Sequence, residues 1–439
     1  MSQSSNPSSD SYYYLPYTLP IHLPGLVSTN PADSPHMPLP QKAVPPEVPG
    51  YTDILPERVG CDFGMDMSFK YIPNDYEVLK DCILCVRLAP LTAGAGGSAA
   101  RYPADVLNHA IEYIQFQIGG ATIQQITGDE IHFKQLVELP PEEFQRIEAA
   151  QHYADDETAR AALADHTNYP NGVWYFLEIP FWWTETAAKH WHQYACQRQT
   201  RINIKWRNAE YILQQNTANT KPTPYSGFST YIVEAFLRFR ISALDTAVKD
   251  TFTNSVKSLG SNGLNYLMQF SQRQENCIIP EMASGQYTIQ LTNFNKPTYM
   301  MRFVVRRAGD LEANYTGNER FLHQMVSYYQ ADASGHRLWP KMSSEFAKIE
   351  VNGKEFLNDF QNNVYHVLHT DYADVNQYPM GCIEYGKLQN PTLTLYWDSW
   401  PTLAVGDDLV CDVWAYCYDY LRMVITQDNR SAVNLEQPI

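Results

Sequence analysis

Charge is scarce in this chain and unbalanced in sign. Only 18% of its 439 residues are charged, and 48 acids against 32 bases leave a formal net charge of -16. The sequence pI is near 5.2. No basic cluster offsets the deficit, because Arg302, Arg306 and Arg307 are merely scattered along one strand-like run. Nucleic-acid binders show a basic face, so direct genome binding is not expected. An acidic surface instead suits a protein made in quantity that must stay soluble until it assembles.

Long apolar runs are also missing, so no segment is expected to span a membrane as a helix. No basic stretch followed by an apolar one opens the chain, so no secretory signal is expected. Synthesis in the cytosol, with reduced thiols, is the corresponding expectation. The eight cysteines, at 61, 82, 85, 196, 277, 382, 411 and 417, lie inside strand-like runs rather than in a disulfide framework. Cys82-Ile83-Leu84-Cys85 spells C-x-x-C, but on a strand residues three apart face opposite sides. No second such pair completes a zinc site, and buried thiols are expected.

Catalytic signatures are equally sparse. There is no G-x-S-x-G, no Walker-type loop and no G-x-G-x-x-G. His190-Trp191-His192 puts two imidazoles on one side of an extended segment, without an evident third ligand. Asp155-Asp156-Glu157 and Asp407-Asp408 lack the spacing and central glycine of a calcium loop and read as solvated loops. Glycosidase-type carboxylate pairs leave no linear signature, since their spacing is three-dimensional. No enzyme activity, cofactor or metal is expected.

What the chain does have is aromatic mass: 30 Tyr, 18 Phe and 9 Trp. With low charge, this favours packed strands over helical bundles, and the length calls for two cores. Residues 1–50 stand apart, rich in Ser, Pro and Asn, and read either as a disordered tail or as an extended arm that orders on a partner. From about residue 60 short strands alternate with turn signals: Met65 to Ile72, Val78 to Leu88, Ala110 to Ile118, 174–180, Arg201 to Trp206 and Tyr231 to Phe239. Leu91 to Ala100 reads as a flexible loop, and alanine-rich 140–165 as a helical insertion with Pro140-Pro141 at its start. A short helical stretch is expected near 186–196. Leu244 to Ser258 reads as a helical connector. Then come Leu264 to Phe270, Tyr299 to Val305, Ala347 to Val351, Thr392 to Trp397 and Leu409 to Met423 as strands, with Asn352-Gly353 as a hairpin signal.

Several phrases punctuate these halves in order. Ile72-Pro73-Asn74-Asp75 precedes a long apolar strand, and Asn108 leads to a strand ending in Ile118-Gly119-Gly120. Pro180-Phe181-Trp182-Trp183 closes another strand. Asn293-Phe294-Asn295-Lys296-Pro297 precedes a hydrophobic strand in the second half. Asn390-Pro391 and Tyr418-Asp419-Tyr420-Leu421-Arg422 follow near the end. Gly119 and Gly120 permit positive φ where a strand turns sharply at a sandwich corner. Phe181, Trp182 and Trp183 can bury large area, and Pro180 cannot donate to a ladder, so it marks a strand end.

In this order the phrases resemble the double jelly-roll major capsid proteins of nucleocytoplasmic large DNA viruses, over nearly all of 60–425. Trp183 stands where that family usually has Phe, and Lys296 where it has His. The resemblance implies an all-β fold of two consecutive eight-stranded antiparallel jelly rolls, with short helices in loops and connector. It implies an N-terminal arm at 1–50, a first roll at 51–245 and a second at 246–439. Three chains would form a pseudo-hexagonal homotrimer that tiles an icosahedral shell in the virion, made and assembled in the host cytoplasm. Loops 91–100, 129–172 and 306–345 would cap the tower or clasp neighbours. Minor capsid and penton proteins, and the inner viral membrane side through residues 1–50, are the implied partners. Two other readings remain open: a minor capsid protein of the same fold, and a carbohydrate-binding β-sandwich. Asn314 and Asn429 open N-x-S/T sequons, candidate glycosylation sites.

Overall fold

The computed structural model describes residues 47–439 apart from 74–76, 153–155, 185–189, 197, 282–284, 313–314, 317–319, 353–362, 370–381, 402–407, 426–430 and 437–439. Before residue 47 it describes only a backbone hairpin, Tyr12–Leu15 paired with Leu19–His22.

Among the described residues, eight strands of three or more residues build the first half: β1 Glu47–Ile54, β2 Asp66–Ser68, β3 Val78–Leu88, β4 Ile111–Ile118, β5 Ala121–Ile126, β6 Val173–Glu178, β7 Thr200–Trp206 and β8 Ile232–Leu244. β1 begins at Glu47, ahead of residue 51. The strands form two antiparallel sheets, ordered β1-β8-β3-β6 and β2-β7-β4-β5. Period-two patterning aims one set of side chains inward. Thr200, Ile202, Ile204 and Trp206 of β7 are buried, while Arg201, Asn203 and Lys205 between them are not.

The second half repeats the plan: β9 Leu264–Ile279, β10 Gly285–Gln290, β11 Pro297–Arg307, β12 Tyr328–Ala333, β13 His336–Ser343, β14 Val364–Leu368, β15 Thr392–Trp397 and β16 Leu409–Ile425. Its sheets run β9-β16-β11-β14 and β10-β15-β12-β13, all antiparallel, with a further strand, Ser431–Glu436, paired to the end of β16. Adding eight to each strand number of the first half reproduces this order. Each half is a jelly-roll sandwich with its own core. The letters of the two halves do not show the duplication; the pairing does.

Helices fill the connections. α1 (Val106–Ala110) precedes β4. α2 (Gly128–Glu138), α3 (Pro141–Ala150) and α4 (Glu157–Leu163) lie between β5 and β6. α5 (Thr246–Ser258) follows β8, capped by the Asp245 carboxylate accepting from Ala247 N–H.

Four expectations are corrected. The stretch near 186–196 is not a helix where it is described: Trp191–His192 extends along β3, and Gln193–Ala195 is one 3-10 turn. Ala347 to Val351 is not a strand. Ser343 caps the backbone of Phe346, and Ala347–Asn352 winds as a wide π-helical turn. That cap offers the backbone a helical start which the alternation of Ile349 and Val351 does not reveal. Only Asp66–Ser68 of the expected strand 65–72 pairs as one. Finally, Gly119 and Gly120, with φ of 59° and 85°, form a two-residue hairpin between β4 and β5 in one sheet rather than a sandwich corner.

Candidate functional site: the seam between the rolls

The outer face of the second roll is covered by α2 of the first. β11 alternates cleanly: Met301, Phe303 and Val305 enter the second core, while Met300, Arg302, Val304 and Arg306 face outward. Phe133 and Val137 of α2 pack on that outer face with Met300, Val304, Trp414 and Tyr416. The Phe133 and Trp414 rings meet edge-on at 5.0 Å.

Both ends of α2 are gripped by arginines of the same strand. Asp129, in the first turn, is fully buried and accepts from Arg306 Nη1 at 3.2 Å. Glu138, at the other end, accepts from Arg302 Nη2 at 2.9 Å. The axial spacings agree. Nine helical steps from Asp129 to Glu138 span about 13.5 Å, and four strand steps from Arg302 to Arg306 span about 13 Å.

Asp129 is the hub. Arg320 reaches it with Nε and Nη2, both at 2.7 Å, and Arg207 Nη2 lies at 3.2 Å from Oδ1. Arg273 Nη2 is at 3.5 Å. Arg207 belongs to the first roll and the other three arginines to the second. Burial alone pushes the Asp129 carboxyl up, but Arg320, Arg207 and Arg306 outweigh it and hold the group well below the usual carboxylate range. Arg306 also pairs with buried Asp412 of β16. The glycine before the hub is needed for close approach: a Cβ on Gly128 would lie 2.1 Å from the Asn108 carbonyl oxygen and 2.6 Å from that of Ile111.

Arg302 is fully buried and fully employed. It donates through Nε to His366 Nε2 at 2.8 Å and through Nη1 to the Tyr416 hydroxyl at 3.0 Å, besides Glu138. Burial, then the neighbouring guanidinium, pushes His366 well below its ordinary value, so a neutral imidazole accepts this bond. Next to the hub, Glu130 accepts from the Ser271 hydroxyl of β9 at 2.7 Å.

The aromatic phrase of the first half also reaches across. Phe181, Trp182 and Trp183 are all fully buried. Trp183 stacks inside the first roll on Phe181 and Phe239. Trp182 turns the other way and meets Tyr266 of β9 at 5.3 Å. Gln124 accepts from the Trp182 N–H at 3.0 Å and donates to the Gln269 carbonyl at 3.3 Å, tying β5, the aromatic corner and β9 together. Pro180 lies just past the end of β6.

The other singled-out residues sit elsewhere. Phe294 is buried against Tyr385, whereas Asn293 and Asn295 are exposed. Asn295 binds Gln272 of β9 through backbone and side chain. Lys296 pairs with Asp419 at 3.0 Å, and Pro297 opens β11. Asn314 and Asn429 lie outside the described residues. His192 is buried, stacked on Phe252 at 4.3 Å, with burial lowering its pKa to about 3. Asp156 caps α4. Among the described residues no group of His, Cys, Asp and Glu could hold a metal ion, and no helix is long and apolar enough to cross a membrane. Cys82 enters the first core while Cys85 faces outward, where burial pushes its thiol up to about 12. The seam arginines carry no sequence signal, because a strand pattern treats Arg as a solvent-facing residue.

Two consecutive jelly rolls of identical strand order, locked side by side, define the double jelly-roll class of β proteins. Solved members of that class superpose along most of the chain. The Faustovirus major capsid protein has a TM-score of 0.65 at 11% identity, covering 87% of this chain and 91% of its own. PBCV-1 VP54, solved fitted into a reconstruction of the virophage Sputnik, gives 0.61 at 13%, covering 90% and 98%. The mavirus major capsid protein gives 0.51 at 9%, covering 88% and 90%. No family model matches the sequence, and no curated protein matches it.

Proposed function

We infer that this chain is the major capsid protein of an icosahedral double-stranded DNA virus, a structural brick rather than a catalyst. One observation carries this reading: two jelly rolls with one strand order are fused rigidly through a buried ionic seam. A unit with two equivalent sandwiches can build a ring of six positions from three copies, closing on itself by one repeated contact. The fold shared with viral major capsid proteins supports it. We assign the residues before Glu47 to an arm, Glu47 to about 245 to the first roll, whose β1 starts at Glu47, and 246–439 to the second. The arm would contact minor capsid proteins or the inner membrane side, and assembly would take place in the host cytoplasm. Glycosylation at Asn314 or Asn429 would appear as added mass on virion-derived protein. The primary test is the mass of purified protein by light scattering behind a sizing column. A species of three chains supports the reading, and a monomer at every concentration opposes it.

A further inference from the structure

The seam between the rolls has a second, unfilled copy on the surface. α2 follows β5, and Thr127 caps it by accepting from Glu130 N–H. In the second roll the turn Ser344–Asn352 follows β13 at the same point of the jelly roll, and Ser343 caps it by accepting from Phe346 N–H. Two residues past the first cap stands Asp129, and six past it stands Phe133. The same steps past Ser343 give Glu345 and Ile349. Acid and apolar side chain recur in the same places. Here, however, both are exposed, Ile349 by 58% and its neighbour Phe346 by 52%. Among the described residues Glu345 makes no ion pair.

The receiving face is repeated as well. In the second roll Asp129 and Phe133 meet Arg306, the last but one residue of β11, its partner Asp412 on β16, and Trp414 two residues further on. In the first roll Arg87 is the last but one residue of β3. It pairs with Glu234 of β8 at 2.9 Å, and Phe236 stands two residues further on. Trp174 of β6 packs edge-on to Phe236 at 5.5 Å and stacks with Phe176, which is 37% exposed. Arg306 is fully buried, but Arg87 keeps 27% of its side chain exposed and Glu234 keeps 47%. One chain therefore carries a filled helix-on-sheet contact, a more exposed sheet face with a related arginine, acid and ring (Arg87 lies opposite Glu234, whereas Arg306 lies opposite Val410), and an exposed helical turn.

We propose that Glu345 and Ile349 of one copy dock on Arg87 and Phe236 of the next, repeating between subunits the contact that Asp129 and Phe133 make within one. The occupant of the face is a second copy of this chain. The reading rests on the proposed capsid function and adds the surface through which the ring closes. The intramolecular and intermolecular contacts then alternate around six rolls, each turn lying on the next sheet. Such a head-to-tail contact forms a closed ring rather than a pair.

Charge reversal on the full chain tests this, read as the concentration at which three-chain species appear in light scattering over a dilution series. Glu345→Arg changes the net charge of -16 by two units towards neutrality, which by itself favours association. Docking predicts the opposite: a loss of affinity of about tenfold or more, because a new cation faces Arg87. Ile349→Asp should weaken association through the apolar half of the contact. The double variant Arg87→Glu with Glu345→Arg should associate more tightly than Glu345→Arg alone. Glu345 is exposed and Arg87 keeps 27% of its side chain exposed, so an unchanged thermal midpoint checks that the variants are folded. If the wild type forms trimers and Glu345→Arg matches it, or if the double variant gains nothing, the interface is overturned while the capsid reading stands. If the wild type stays monomeric throughout, the capsid reading falls and the interface with it.

Discussion

Arg306 of the second roll donates to Asp129 of the first, and neither side chain is exposed to solvent. A buried pair of this kind need not add stability relative to an apolar substitute, but removing one member leaves the other uncompensated. Here the member from α2 answers four arginines, so the seam depends on it unequally.

Asp129→Asn should therefore cost about 3–5 kcal/mol of stability, because Arg207, Arg306 and Arg320 lose a buried counter-charge. Urea unfolding would measure this. The transition should also split into two, as the rolls lose their common anchor. A single transition at the wild-type midpoint would contradict the role given to the hub.

Trp182→Ala and Trp183→Ala should each cost about 3–5 kcal/mol, since both rings are fully buried. Their signatures should differ. Trp182 contacts Tyr266 across the seam, whereas among the described residues the ring partners of Trp183 are Phe116, Phe181 and Phe239 of the first roll. Proteolysis should expose the connector Thr246–Ser258 in the first variant and not in the second.

Acid should weaken the fold in two stages. His109 and His192 are held at about 3 by burial, against an ordinary 6.5. The unfolded chain takes up these protons below 6.5 and the folded one does not. Their stabilising effect is present above 6.5 and is lost progressively as pH falls from there towards 3. Asp129 acts later: its depressed pKa gives stability above the ordinary carboxylate value, lost only as pH falls through its lower folded value. Urea midpoints measured from pH 8 to 4 should decline below about 6.5, less steeply in His192→Gln.

The hairpin glycines give a backbone test. Gly120 sits at φ 85°, and a Cβ added there would meet nothing within 4 Å, so only conformation opposes a side chain. Gly120→Val should cost about 1–2 kcal/mol, and Gly120→Asn clearly less, because Asn tolerates the left-handed region. Thermal unfolding of both variants separates strain from packing.

Much of the fold was legible because strands write period-two patterns and turns have their own chemistry. Thr392–Trp397 and Val78–Leu88 fall where alternation and apolar content place them. The seam was not legible. Gly128–Glu138 interleaves Ile131, Phe133, Leu136 and Val137 with Asp, Glu, His and Lys, and its burial depends on charges that find partners far away in sequence. Arg302 and Arg306 read as surface for the same reason. Short segments failed most: the turn at Ala347–Asn352 was decided by a cap, not by its own alternation.

The matched spacings of α2 and β11 act as a vernier. One residue added to the helix slides its acids by about 1.5 Å, and one residue added to the strand slides its arginines by about 3.3 Å and turns them inward. Neither error can be cancelled by a single change in the other element. Length variation is thus barred from these two segments and diverted to the connections around them, where outer decoration can change while the gauge between the rolls stays fixed.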